Sequence, residues 1–156
     1  MQMLDPVPKD PGTYILFLLL HKSETIPVGS LGSWTFRKGY YAYTGSAQGS
    51  GGLAARLKRH LRPPSQKRIH WHIDHLASIA KITQVWWKEG QINHECSWAQ
   101  QLAKEGSIIL PGFGSSDCNC PSHLIWLPAL KDQPHTWQSL KKLLGEHIES
   151  LRVDTE

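Results

Sequence analysis

The chain has 156 residues, 40% of them hydrophobic and 19% charged, with a formal net charge of +4. Those values suit one ordinary globular domain with its own core and exclude fibrous and intrinsically disordered classes. Three cysteines make no disulfide framework at this size, residues 1–11 do not read as a signal peptide, and the longest apolar run is far too short for a membrane span, so a protein of the reducing cytoplasm with no membrane partner is expected.

In chain order, residues 14–20 form a short, continuous apolar run that reads as a central strand. Residues 21–25 read as a turn, 26–36 as a second strand bent at Gly29 and Gly32, and 40–43 as a third strand after Gly39. Three consecutive strands with short connections predict an antiparallel sheet. Residues 45–52 form a glycine-rich loop feeding a helix over 53–61, where Leu53, Leu57 and Leu61 share one face and cations occupy the others. Such a loop can offer backbone N–H groups to phosphate at the helix start. Pro63 and Pro64 stop that helix.

A second helix is predicted over 71–80, a strand over 82–88, a helix over 95–105 ended by Gly106, and a strand over 123–127. Residues 108–110 are a short apolar run, and 112–121 read as a structured loop. The amphipathic tail over 137–151, with Leu140, Leu143, Leu144, Ile148 and Leu151 apolar, reads as a docking C-terminal helix. The expected fold class is therefore α/β of the α+β kind: a small antiparallel or mixed sheet flanked by helices, in one domain over 1–156.

Several residue types point to phosphodiester chemistry, which needs an aimed water, stabilised phosphoryl oxygens and help for the departing oxygen. Tyr14 follows Gly12-Thr13, and Tyr43 precedes Thr44-Gly45; antiparallel pairing would bring the two phenols together. A phenol with a pKa near 10 needs a neighbouring cation or a metal-bound water to act as a base at neutral pH, and Arg56 would fit as that cation, with a planar fork that also suits phosphate. Glu95 is the candidate ligand for a single Mg²⁺ or Mn²⁺, with water and phosphate completing the shell. His60, one helical turn beyond Arg56, is placed to contact phosphate or relay a proton. Lys58, Arg59, Arg62, Lys67 and Arg68 form a basic segment suited to a polyanion. Each of these residues taken alone also suits an ordinary structural role, as a sheet tyrosine, a salt bridge or a helix cap.

The ordered set, Gly12-Thr13-Tyr14, Tyr43-Thr44-Gly45, Arg56 and Glu95, resembles the GIY-YIG nuclease superfamily. The segments 39–47, 56–61, 70–76, 95–96 and 113–120 resemble in particular a branch of it described only as a domain of unknown function, over residues of about 10–127, leaving 128–156 as a helical extension. The resemblance implies a small antiparallel sheet flanked by helices, one catalytic metal and cleavage of DNA, structure-directed or single-strand-directed, in repair or processing. It implies that Tyr14 and Tyr43 order or deprotonate the attacking water, Arg56 stabilises the phosphoryl group and Glu95 holds the metal. Which tyrosine is the base, and whether RNA is also a partner, stay open at this level. Ser46 stands where several members carry lysine, and Asn119 is the candidate for a downstream asparagine common in the superfamily.

Two other readings are carried by particular residues. A nucleic-acid-binding module on the same fold without appreciable cleavage is motivated by Ser46 and by the downstream asparagine, for which Asn119 is the candidate. A zinc-containing structural domain is motivated by Cys118, Cys120 and His123, with His70, His72 or His75 as a fourth ligand. Cys-x-Cys is tighter than the usual zinc spacing and those histidines are distant in sequence, so zinc is not expected. For Trp34, Trp71, Trp86 and Trp87, stacking on unpaired bases competes with core packing, which is expected for most of them.

Overall fold

The computed structural model describes residues 5–108, 110–115 and 120–153. Cys118, Asn119 and part of the predicted 112–121 loop lie outside the described residues, as does Ile109 of the apolar run. Strands β1 (Gly12–Leu20), β4 (Gly39–Ala47), β5 (Lys81–Glu89), β6 (Leu124–Leu127) and β7 (Glu149–Arg152) form one sheet in the order β6-β4-β1-β5-β7, with every pairing antiparallel. Strand β1 lies at its centre and is buried on both faces, which is why its sequence is a continuous apolar run rather than an alternating one.

Helices pack on both faces. Against one lie α1 (Gly52–His60) and α2 (His72–Ala77), whose Leu53, Leu57, Ile73 and Leu76 join Tyr14, Leu16, Leu18 and Tyr43 in one core. Against the other lie α3 (Glu95–Ala103) and α4 (Pro134–Leu144), whose Trp98, Leu102, Trp137 and Leu140 join Ile15, Phe17 and Trp86 in a second. Alternate residues of β1 thus feed separate cores, as the period of two requires.

Three expectations are corrected. Residues 26–36 are no strand of the main sheet. Glu24–Pro27 (β2) and Ser33–Phe36 (β3) form a separate hairpin, because the chain reverses through a 3₁₀ turn at Gly29–Leu31 flanked by Gly29 and Gly32 at positive φ. Strand β4 runs on to Ala47, so Gly45 and Ser46 are sheet residues and the loop is shorter than predicted. The tail is a helix only to Leu144, where Gly145 at φ 125° ends it. The chain then returns as β7 along the edge of β5, with Ile148 packed on one core and Leu151 on the other, a division across the sheet suited to extended chain and not to one face of a helix. Among the described residues no helix is long and apolar enough to cross a membrane.

Candidate active site

The two tyrosine motifs meet because of the β1/β4 register. Tyr14 pairs with Gly45 and Leu16 with Tyr43, so both phenols project from the same face two positions apart on a diagonal. The glycines of the motifs are steric requirements of this arrangement. A Cβ on Gly45 would run into the Tyr14 ring, and one on Gly12 into the Lys88 carbonyl and Leu53 of α1. Gly114, at φ 69°, brings the loop before β6 against the ring of Tyr43, where a Cβ would stand 2.7 Å from Cε1.

Around these phenols lies a cleft of about 360 Å³ lined by Tyr14, Tyr43, Arg56, Trp71, Glu95 and His123, with Gly45, Ser46, Asn93 and Gly114 completing its wall. Four of the five residues expected to be catalytic therefore converge on one concave surface. Arg56 comes from α1, where Nη1 donates to the Ser46 carbonyl at 3.0 Å, and its guanidinium lies 4.7 Å over the Trp71 ring. Glu95 opens α3, on the opposite side of the sheet. Its backbone N–H donates to Asn93 Oδ1 at 2.8 Å, and Asn93 Nδ2 donates to Glu95 Oε1 at 2.7 Å. This reciprocal pair fixes the carboxylate at the mouth of the cleft.

His60, the fifth, is buried and does not line the cleft. Its Nε2 is 2.7 Å from the Tyr14 hydroxyl, so it reaches the site only through that phenol. Direct phosphate contact by His60 is excluded by this burial. Desolvation lowers its pKa to about 3, assisted by the Lys67 charge, so the ring is neutral. Burial likewise raises the Tyr14 pKa, with the Arg56 charge and its hydrogen bond opposing that rise. Burial also raises the Tyr43 pKa, helped by Tyr14 and Glu95 and opposed by Arg56.

The basic segment divides in two. Lys58, Arg62 and Arg68 are exposed. Arg59 and Lys67 are turned inward, contrary to their expected role on a polyanion, because the fully buried carboxylate of Asp74 needs compensation. Arg59 grips it at 2.8 and 3.0 Å, Lys67 Nζ lies 4.0 Å away while donating to the His60 carbonyl, and the His70 and Trp71 N–H groups donate to it as well. Burial works to raise the Asp74 pKa, but Arg59 and these backbone donors outweigh it and hold it at about 2. The expected anion site at the start of α1 is also corrected, since the Leu53 and Ala54 N–H groups donate to the carbonyls of Asp10 and Pro8.

Asn93 adds to the expected site, while Trp71 was weighed only for base stacking and His123 only as a zinc ligand. The Asx turn two residues before Glu95 marks Asn93; nothing local places His123 in the cleft, where it arrives through the β4/β6 pairing beside Tyr43. Its Nδ1 lies 3.4 Å from Glu95 Oε2, and burial lowers its pKa while Glu95 opposes that. His123 Nε2 faces Cys120 Sγ at 2.9 Å and Cys96 Sγ at 3.7 Å. Among the described residues the cysteine–histidine cluster is thus Cys96, Cys120 and His123, without His70, His72 or His75. Of the four tryptophans weighed for stacking, Trp86 and Trp87 are core, Trp34 lies on the exposed hairpin and only Trp71 borders the cleft.

The fold and site together define an α+β domain with a polar cleft in which two phenols, a guanidinium and a carboxylate meet. The chain belongs to the family described as Domain of unknown function DUF123, which matches residues 13–146. No curated protein and no solved structure matches it.

Proposed function

We propose that this protein is a metal-dependent nuclease that hydrolyses DNA phosphodiester bonds in the cleft between β1, β4, α1 and α3. The observation that carries this reading is the convergence of Tyr14, Tyr43, Arg56 and Glu95, from four separate elements, on one polar surface. The residues fit a hard divalent ion. Glu95 offers the carboxylate of the cleft, partly exposed and held by Asn93, and magnesium at phosphate sites is commonly bound through one carboxylate with water and phosphate. Glu95 would hold such an ion, which when bound supplies charge stabilisation for phosphoryl oxygens.

The chain's own groups supply the rest. The Tyr14 hydroxyl, oriented by its hydrogen bond with the neutral His60 Nε2, holds and aims the water that attacks phosphorus, and that water's proton leaves to solvent in the open cleft. Arg56, anchored by the Ser46 carbonyl and Trp71, stabilises the charge on the phosphoryl oxygens. The bond from phosphorus to the leaving oxygen breaks, and solvent in the open cleft protonates that oxygen.

The test is a panel of single-stranded, duplex and branched DNA with Mg²⁺ or Mn²⁺, comparing wild type with Glu95→Ala. Expected is cleavage of at least one DNA form by the wild type and loss of cleavage, with DNA binding retained, in the variant. Binding without cleavage across the panel in both proteins would instead establish a non-catalytic nucleic-acid-binding module. Exchanging exposed Lys58, Arg62 and Arg68 together for alanine lowers the slope of log affinity against log salt by about 3, as read by fluorescence anisotropy.

A further inference from the structure

A second cluster shares His123 with the wall of the cleft. Cys96 is the second residue of α3, next to Glu95, while Cys120 and His123 come from the segment leading into β6. Cys120 and His123 are buried and Cys96 is partly buried. One ligand atom from each, two thiol sulfurs and an imidazole nitrogen, lies within 4.8 Å of the other two. Around a tetrahedral zinc, with bonds of about 2.3 Å to sulfur and 2.0 Å to nitrogen, such atoms stand about 3.5–3.8 Å apart. The Cys96 Sγ to His123 Nε2 distance, 3.7 Å, already has that value. The 2.9 Å between His123 Nε2 and Cys120 Sγ would widen by roughly 0.6 Å.

The orientation of His123 supplies an independent argument. Its Nε2 is turned to the two sulfurs while Nδ1 is turned to the Glu95 carboxylate at 3.4 Å. Metal-bound imidazoles characteristically present their second nitrogen to a carboxylate, which fixes the ring and its tautomer. The tight Cys-x-Cys spacing that argued against zinc in the sequence does not apply here, because the second sulfur is supplied by Cys96, from another element.

We propose that Cys96, Cys120 and His123 bind a soft divalent ion, zinc by chemistry, at a site separate from the hard-ion ligand Glu95 and joined to it through His123. Two thiolates and an imidazole select zinc over magnesium, whereas a carboxylate with water and phosphate does the reverse. The ion would clamp the first turn of α3 to the chain entering β6 and thereby hold Glu95 at the mouth of the cleft. The inference does not rest on the nuclease reading, since its readout needs no DNA.

The experiment uses the full chain purified under reducing conditions without chelator, dialysed and analysed for metals, then stripped and titrated with Co²⁺. Expected are one zinc per chain, retained in millimolar Mg²⁺, and a Co²⁺ complex with thiolate-to-metal charge-transfer absorption and strong visible bands. Cys96→Ala and Cys120→Ala each weaken the charge-transfer band, and His123→Ala lowers Co²⁺ affinity, with circular dichroism reporting the fold. Wild-type protein that keeps no zinc after incubation and dialysis and gives no charge-transfer band overturns the proposal. A band unchanged in folded Cys96→Ala does so too, as does a Cys96–Cys120 disulfide as the stable form under these conditions. Because the deciding measurements include wild type and the partly buried Cys96 position, a Cys120→Ala chain that fails to fold does not remove the test.

Discussion

On the nuclease reading proposed above, Tyr14→Phe is expected to lower DNA cleavage by roughly 10²-fold, the loss that misplacing a reacting group brings. The substitution removes one oxygen and keeps the ring, which fills the space that Gly45 leaves open. It leaves His60 Nε2 without its hydroxyl partner in a buried place, a cost of about 1–3 kcal/mol that a folded domain of this size can bear. Tyr43→Phe is expected to cost less. The Tyr14 hydroxyl is held by His60 Nε2 and engaged by Arg56 through both charge and hydrogen bond, whereas Arg56 acts on Tyr43 by charge. Single-turnover rates for the two variants, with binding measured separately, decide the assignment, and the opposite ranking moves the water-positioning role to Tyr43.

Asp74→Ala destabilises the chain by about 3–5 kcal/mol, because it leaves the Arg59 and Lys67 charges uncompensated. Urea denaturation reads the loss, which corresponds to roughly 10 °C in the thermal midpoint. The effect extends to the site. Asp74 holds the Trp71 N–H and Arg59, whose guanidinium lies 4.1 Å over the Trp71 ring, and Trp71 in turn carries Arg56. On the same proposed reading, the variant is expected to bind DNA more weakly even where it remains folded.

Both Asp74 and His60 also make stability depend on pH, with the same sign. The folded pKa of Asp74 is below its ordinary value of 3.8, so its contribution is full above that value and is lost as the pH falls toward about 2. His60 is held neutral down to about pH 3, whereas the unfolded chain takes up its proton near 6.5, so stability falls as the pH drops between those values. Within that window, His60→Gln removes a slope of about 1.4 kcal/mol per pH unit, readable from urea midpoints at a series of pH values.

Some of the cleft is legible in the amino-acid sequence because its chemistry rides on local pattern. The glycines beside Tyr14 and Tyr43 mark places where another group must approach the backbone, and Arg56 sits a fixed number of residues into a helix whose leucines declare its buried face. Nothing local told Arg59 and Lys67 from Lys58, Arg62 and Arg68. The difference is Asp74, which lies 15 residues from Arg59 in the chain and 2.8 Å from it in space.

Periodicity alone places the central strand, the helix that carries Arg56 and the helix that Glu95 opens, because each is written in its own residues. Register, and which distant segments meet, follow only from long-range packing. The leucine spacing of the tail suited a helix, but only packing across the sheet made its end an edge strand. The diagonal pairing of Tyr14 with Tyr43, the burial of His60 behind the first phenol and the gathering of Cys96, Cys120 and His123 beside Glu95 are products of long-range contact. Strand pairing and close packing fix distances between residues tens of positions apart, and no local pattern carries that information.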